Sequence, residues 1–247
     1  MELTVVGCSG SIPGPDSPAS CYLIEHDGFR LVLDLGSGAL GSLMNFIDLR
    51  TIDAVAFSHL HADHCLDLTG LYVGRRYGGY GTGERLPVFG PSDTAGRMAR
   101  AYDLAEQPGF THEFDFLDVS RAREIGPFRL MTAPMAHPVE AYGLRLEADG
   151  RSLAYTGDTG PNERLAPLAR DANVLLAEAA FVEGAVNPPD LHLTGREAGQ
   201  VAHDAGVGEL VVTHVPPWYN PLDALAEAIE VYDGPVQSAT VGLQLSI

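Results

Sequence analysis

The chain has 247 residues, 45% of them hydrophobic and 19% charged, and its 33 acidic against 15 basic residues give a formal net charge of -18. Every basic residue is Arg. That excludes Schiff-base lysines and Walker-type phosphate clamps, and the acidic balance disfavours non-specific contact with a phosphate backbone. The length and apolar content suit one layered domain with a full core over residues 1–247.

The chain opens Met1-Glu2-Leu3-Thr4-Val5-Val6, without a basic segment ahead of a long apolar run, and nothing later approaches the ~18 apolar residues of a membrane span. Cys8, Cys21 and Cys65 are odd in number and too few for a disulfide framework. They are expected to be free, small hydrophobes in a reduced, cytoplasmic protein. Apolar and β-branched runs predict strands at Leu3–Val6, Tyr22–Ile24, Leu31–Leu33, Ala54–Phe57 and Val88–Phe89, then at Leu130–Thr132, Tyr142–Leu146, Leu153–Thr156, Val174–Leu176 and Leu210–Thr213. Helical periodicity links Leu40, Leu43, Met44 and Ile47, the Ala and Val positions of 196–206, and Leu222, Leu225, Ala226 and Ile229. Gly-rich 77–83 reads as a loop, and Ala148-Asp149-Gly150 as a turn. Strands interspersed with helices in both halves predict sheets covered by helices, an α/β architecture.

The chemistry-bearing segment is Ser58-His59-Leu60-His61-Ala62-Asp63-His64, directly after the buried-strand pattern 53–57. A lone His, or one HxH pair, is ordinarily a surface or core feature. Four ligand-type side chains within six residues at a strand end are not, because a loop there can fold them round a cation. His59 and His61 can converge on one metal while Asp63 and His64 turn to a second. Imidazole and carboxylate donors suit zinc, with other first-row metals such as manganese also fitting. His137, Asp158 and His214 each end a further apolar run, so all can meet at one rim.

These residues resemble the metallo-β-lactamase superfamily over nearly the whole chain. The resemblance implies a four-layer αββα sandwich forming a single hydrolase domain over 1–247, with a two-metal site at its edge. It implies that His59, His61 and His137 hold the first ion and Asp63, His64 and His214 the second, with Asp158 bridging. Gly7-Cys8-Ser9-Gly10-Ser11 and Gly36, after Leu33-Asp34-Leu35, look like further features of that family.

Asp158, where β-lactamases usually carry Cys, points to the phosphodiesterase branch related to ribonuclease Z. There the resemblance implies a catalytic His192 backed by Glu178, with Asp63 also orienting the nucleophile. Thr194 and Glu197 read as a helix-capping pair, which fixes the loop carrying His192. The long basic arm that bacterial ribonuclease Z inserts between the positions of His137 and Asp158 is absent: only twenty residues intervene. A closer likeness is to actinobacterial class II-like cyclic-nucleotide phosphodiesterases. It is carried by Gly14-Pro15-Asp16-Ser17-Pro18-Ala19-Ser20, Arg75-Arg76-Tyr77, Gly90-Pro91-Ser92-Asp93-Thr94, Pro188-Pro189-Asp190-Leu191-His192-Leu193 and Thr213-His214-Val215-Pro216-Pro217-Trp218. It implies hydrolysis of 3′,5′-cAMP to the 5′-monophosphate. Arg75 or Arg76 is then a candidate phosphate contact, against a bland reading as a solvated helix face. Trp218 or Tyr219 is a candidate base-stacking partner, against wall packing. A ribonuclease Z-type endonuclease and a thioester or lactone hydrolase are the competing readings. Such relatives are often homodimers, for which Leu68, Leu71 and Tyr72 offer an apolar face that serves equally as core.

Overall fold

The computed structural model describes residues 1–247. The first half runs β1 (Glu2–Gly7), β2 (Cys21–His26), β3 (Phe29–Leu33), α1 (Ala39–Leu43), β4 (Ala54–Ala56), α2 (Ala62–Cys65), α3 (Leu68–Tyr77), β5 (Leu86–Gly90), α4 (Thr94–Ala101) and β6 (Phe114–Asp118). The second runs β7 (Glu124–Ile125), β8 (Phe128–Pro134), β9 (Tyr142–Ala148), β10 (Arg151–Tyr155), α5 (Leu165–Ala169), β11 (Val174–Glu178), α6 (Gly195–Ala205), β12 (Glu209–Thr213), α7 (Pro221–Ile229), β13 (Val236–Ser238) and β14 (Gln244–Ser246). Two seven-stranded mixed sheets result, ordered β14-β1-β2-β3-β4-β5-β6 and β13-β12-β11-β10-β9-β8-β7. The last strand returns to the first sheet and pairs antiparallel with β1.

Three apolar clusters separate four layers. Leu3, Val5, Ile24 and Leu33 of the first sheet meet Leu130, Leu144, Leu146, Leu153 and Leu176 of the second. On the outer face of the first sheet, Val6, Leu23, Val32 and Val55 pack under Leu43, Leu68, Leu71 and Met98 of the helices. On the outer face of the second, Leu175, Leu210 and Val212 pack under Leu165, Ala198, Ala202 and Ala228. Successive strand residues thus enter different cores, so the runs read as continuously apolar instead of alternating. This is the expected αββα sandwich.

All ten predicted strands are present. The edge strands β6, β7, β13 and β14 were not anticipated; three have only two or three residues, and β6 carries Asp at two of its five positions. Helix α6 has a full capping box, Thr194 accepting from the Glu197 N–H while the Glu197 carboxylate accepts from the Thr194 N–H. Two helix expectations are corrected. Helix α1 stops at Leu43 and leaves Met44 exposed. In α7 the buried stripe is Ala224 and Ala228, whereas Leu222 is 62% exposed, because the close approach of α6 admits only small side chains there. Leu68, Leu71 and Tyr72 are buried in the outer core and offer no face to a second copy. The three cysteines are free, and no helix is long and apolar enough to cross a membrane.

The inter-sheet core gives a direct test. Leu144→Ala should lower unfolding stability by about 3 kcal/mol, from lost burial plus a cavity, whereas Leu222→Ala should change it by less than about 0.5 kcal/mol. Urea unfolding monitored by circular dichroism measures both.

Candidate metal centre

Strands β3 and β4 are parallel, as are β10, β11 and β12, and β8 shares the direction of β10 because both run antiparallel to β9. The segments leaving their C-terminal ends therefore collect at one rim. Asp34 follows β3, the His59–His64 loop follows β4, His137 follows β8, Asp158 follows β10, Glu178 ends β11 and His214 follows β12. Asp34 and His214 both hold left-handed backbone, φ 54° and 58°, which a non-glycine residue adopts only where its surroundings impose it. Glycines allow the rest of the convergence. A Cβ on Gly36 would lie 1.9 Å from the Asp63 carbonyl oxygen, and one on Gly10 would lie 2.1 Å from that of His214.

The rim gathers all seven predicted ligands into two overlapping groups. His59, His61, His137 and Asp158 present donor atoms within 4.8 Å of one another; Asp63, His64, Asp158 and His214 do the same. In the first group His61 Nδ1 lies 3.0 Å from His59 Nε2 and 3.1 Å from His137 Nε2. One proton can serve at most one of these two contacts, so nitrogen lone pairs face one another. In the second, His64 Nε2, His214 Nε2 and Asp158 Oδ1 are buried and have no hydrogen-bond partner. Buried polar atoms left unpaired are costly. Here they surround common points, which suits a divalent cation shared through Asp158.

Protonation follows the same division. Burial and the charge of His64 hold His59 well below its ordinary value, and burial likewise lowers His61 and takes His137 to about 4. All three are neutral donors at pH 7. His64 goes the other way: burial opposes its charge, but Asp158 and Asp34 outweigh burial and raise it.

Behind the ligands lies a layer that the sequence reading did not assign. Asp34 is fully buried and accepts four hydrogen bonds, from Ser58 N–H (2.7 Å), Ser58 Oγ (2.8 Å), His64 Nδ1 (2.8 Å) and Tyr155 OH (2.7 Å). Because Ser58 Oγ donates to Asp34, it accepts from His59 Nδ1 at 3.1 Å. His137 Nδ1 donates to the Leu191 carbonyl at 3.0 Å, and His214 Nδ1 lies 2.9 Å from Ser20 Oγ. Each bond fixes a ring so that its other nitrogen faces the centre. The signal that singles out Asp158, an acidic residue closing an apolar strand, is equally present at Asp34.

Glu178 and His192 meet as the resemblance implies. His192 Nδ1 lies 2.9 Å from Glu178 Oε1 and 3.8 Å from Asp158 Oδ2. Glu178 also accepts from the Thr159 and Ala180 N–H groups. Burial alone would depress His192, but the adjacent carboxylate outweighs it and raises the imidazole to about 9. Phe181 packs edge-on against the ring at 5.0 Å.

The tentative substrate contacts fare differently. Arg75 is 8% exposed, so the solvated-face reading fails for it; its guanidinium donates to the Glu84 carbonyl and lies over the Phe114 ring. Arg76 is exposed and pairs with Glu113 at 2.7 Å. Both are engaged toward the β6 edge, and the structure does not bring them to the His/Asp cluster. Trp218 is 58% exposed. Tyr219 lines a cavity of about 340 Å³ between the loops after β1 and β12, which also includes Thr213 and Val215, the neighbours of His214.

A two-sheet sandwich with rim clusters of His and Asp defines a metal-dependent hydrolase. The description "Beta-lactamase superfamily domain" matches residues 30–215, and the chain belongs to that superfamily. An uncharacterized protein of Mycobacterium tuberculosis is 44% identical over 246 residues, covering 96% of this chain and 89% of that one. The probable metallo-hydrolase YhfI of Bacillus subtilis is 30% identical over 244 residues, covering 98% of each chain. The YhfI crystal structure superposes with a TM-score of 0.88 at 27% identity, over 99% of this chain and 98% of that one. Ribonuclease Z of Haloferax volcanii is 27% identical over 303 residues, covering 100% of this chain and 95% of its own.

Removing Asp34's charge tests the supporting layer. Asp34→Asn exchanges one acceptor for a donor facing His64, Ser58 or Tyr155. The expected result is a roughly 10–100-fold loss of zinc affinity with the fold retained, read by chelator competition and far-ultraviolet circular dichroism.

Proposed function

We propose that this chain is a phosphodiesterase that opens the cyclic phosphate of a small 3′,5′-cyclic nucleotide, cAMP foremost, to give the 5′-monophosphate. The observation that carries the reading is the Glu178–His192 pair placed against Asp158. An ester or lactone hydrolase has less need of a proton donor at this place. Opening a cyclic phosphodiester breaks the P–O3′ bond, and O3′ leaves as an alkoxide unless it is protonated.

His59, His61 and His137 would hold one divalent ion, Asp63, His64 and His214 the other, and Asp158 both. Zinc fits this donor set best, and manganese is the alternative. When bound, such ions supply Lewis acidity toward the phosphoryl oxygens and acidify water for in-line attack. Asp63, with its partly accessible carboxylate, would orient the attacking water. The Glu178 carboxylate favours the protonated form of His192, which directs Nδ1–H to Glu178 and has no protein partner at Nε2. His192 would pass the Nε2 proton to O3′ as the P–O3′ bond breaks. Glu178, held by two backbone N–H groups, would keep the ring in place throughout. Tyr219 would face the base from its cavity, whose size falls within the range of small-ligand pockets.

Substrate size follows from the connection between His137 and Asp158. Beyond the short segment 138–141 it is β9, the two-residue turn Asp149-Gly150 and β10, which belong to the second sheet, and then 156–157. No segment projects from it to grip a polymer, and the -18 net charge repels one. The free thiols accord with a reduced, cytoplasmic setting.

The measurement is cAMP turnover by zinc- or manganese-loaded protein. His61→Ala should abolish it. His192→Ala should lower kcat by roughly 10²–10⁴ while metal content stays at the wild-type level. Wild-type activity in His61→Ala would reject the mechanism. Tight, steeply salt-dependent binding of a precursor tRNA would favour the endonuclease reading.

A further inference from the structure

A second mixed donor cluster lies at the opposite end of the sandwich. Donor atoms of His26, Asp27 and Asp149 lie within 4.8 Å of one another. His26 ends β2, Asp27 begins the Asp27-Gly28 turn into β3, and Asp149 begins the Asp149-Gly150 turn from β9 to β10. The first hairpin belongs to one sheet and the second to the other. Strand β3 alone, at ~3.3 Å per residue, separates this cluster from the Asp34 rim by about 17 Å.

The imidazole is held as a ligand would be. His26 is 12% exposed in its side chain and its ring packs 6.0 Å from the Phe128 ring. Nε2 lies 3.2 Å from Asp149 Oδ2 and 3.9 Å from Asp27 Oδ2, yet neither contact has hydrogen-bond alignment, and neither ring nitrogen bonds any other protein atom. A nearly buried imidazole thus points between two carboxylates without donating to either. Both Asp residues have φ 49° and precede glycines with φ 81° and 74°. These are the two-residue hairpin turns that Asp-Gly favours, and they fix the backbone of both Asp residues, whose carboxylate side chains are 79% and 80% exposed. Glu2 adds acidic character beside the cluster, while the neighbouring Glu25 is paired with Arg30 at 2.8 Å.

We propose that His26, Asp27 and Asp149 form a structural site for a divalent transition-metal ion of the zinc type, which ties the two sheets together at the end remote from the catalytic rim. One imidazole nitrogen and two carboxylate oxygens suit that class of ion, with water completing the shell. The tie joins layers otherwise held at this end by side-chain packing, so occupancy adds to folding stability by mass action. The site is independent of the reaction assigned to the rim.

The test uses Zn²⁺ itself. Metal-loaded protein, freed of excess ion, is titrated with further Zn²⁺ by calorimetry, total zinc is counted by elemental analysis, and melting is followed with and without added Zn²⁺. Wild type should take up one more equivalent than His26→Gln or Asp149→Asn, and excess zinc should raise its Tm by roughly 5 °C. Asn tolerates the left-handed backbone at 149, so the second variant preserves the turn. Both variants should keep wild-type catalytic activity. Equal zinc stoichiometry in wild type and both variants would overturn the proposal. So would a zinc-dependent rise in Tm that survives both substitutions, since it would then belong to the rim. Destabilisation of both variants equally with and without zinc would reduce the cluster to an ion pair and also overturn it.

Discussion

Asp34 is where the two sheets and the metal centre are joined. Its carboxylate takes two bonds from Ser58 and one from His64, both reached from the first sheet, and one from Tyr155 on the second. Two further ties cross between the sheets at the same rim: Tyr22 OH meets Thr213 Oγ1 at 2.8 Å, and Ser20 Oγ meets His214 Nδ1 at 2.9 Å. The interior between the sheets is otherwise a cluster of 21 buried hydrophobic residues, which fixes spacing but not direction. Hydrogen bonds supply direction. Two of these three ties end on a candidate ligand or on the residue beside one, and the third ends on Asp34, which itself holds His64, so aligning the sheets and aiming the donors are accomplished by one network.

The charge distribution follows from that arrangement. Acidic residues are in excess over the chain as a whole, but those at the rim are not solvated. Asp34 and Asp158 are buried, and Asp63 nearly so. Glu178 is buried as well, with two backbone N–H donors and His192 around it. A buried carboxylate is tolerated only when paired or coordinated. Asp34 and Glu178 meet that condition within the protein. Asp158 does not, since one of its oxygens has no partner. The rim therefore separates acids satisfied within the protein from Asp158, whose unpaired oxygen suits a cation, and the supporting acids lie behind it.

How much of this was legible in the sequence depended on whether a residue's role is local. The His59–His64 cluster declares itself because four donors crowd one loop, and Asp158 and His214 because each closes an apolar run. Most of the ten internal strands were legible for the same reason: they are buried on both faces and read as apolar runs, whereas β5 and β8 are only partly buried on one face. Edge strands such as β13 and β14 are short and half exposed, so no run marks them. Helix α7 misled because the residues that pack are its alanines, selected by the close approach of Gly195 and Gly199 on α6, a long-range fact. Arg75 and Arg76 were ambiguous because adjacency on a helix says nothing of which one faces inward; Glu84 and Glu113, which decide it, lie 9 and 37 positions away. Asp34 was visible yet unassigned, since its four donors come from three distant points of the chain.

The extent of the family match sharpens this last point. The superfamily domain spans residues 30–215, which includes every candidate ligand from His59 to His214. It omits Gly10 and Ser20. Gly10 is the residue on which a Cβ would lie 2.1 Å from the His214 carbonyl oxygen, and Ser20 is the partner of His214 Nδ1. The loop after β1 also hydrogen-bonds directly to the segment around His214, through Gly10 N–H to the Val215 carbonyl and His214 N–H to the Cys8 carbonyl. His214 holds left-handed backbone there, a conformation of order 1–3 kcal/mol less favourable than extended or helical alternatives and kept only by such contacts. The N-terminal strands are therefore part of the site in a physical sense. They supply no candidate ligand, but they set the backbone and ring orientation of one, and the one of the seven candidate ligands that holds left-handed backbone is the one that depends on them.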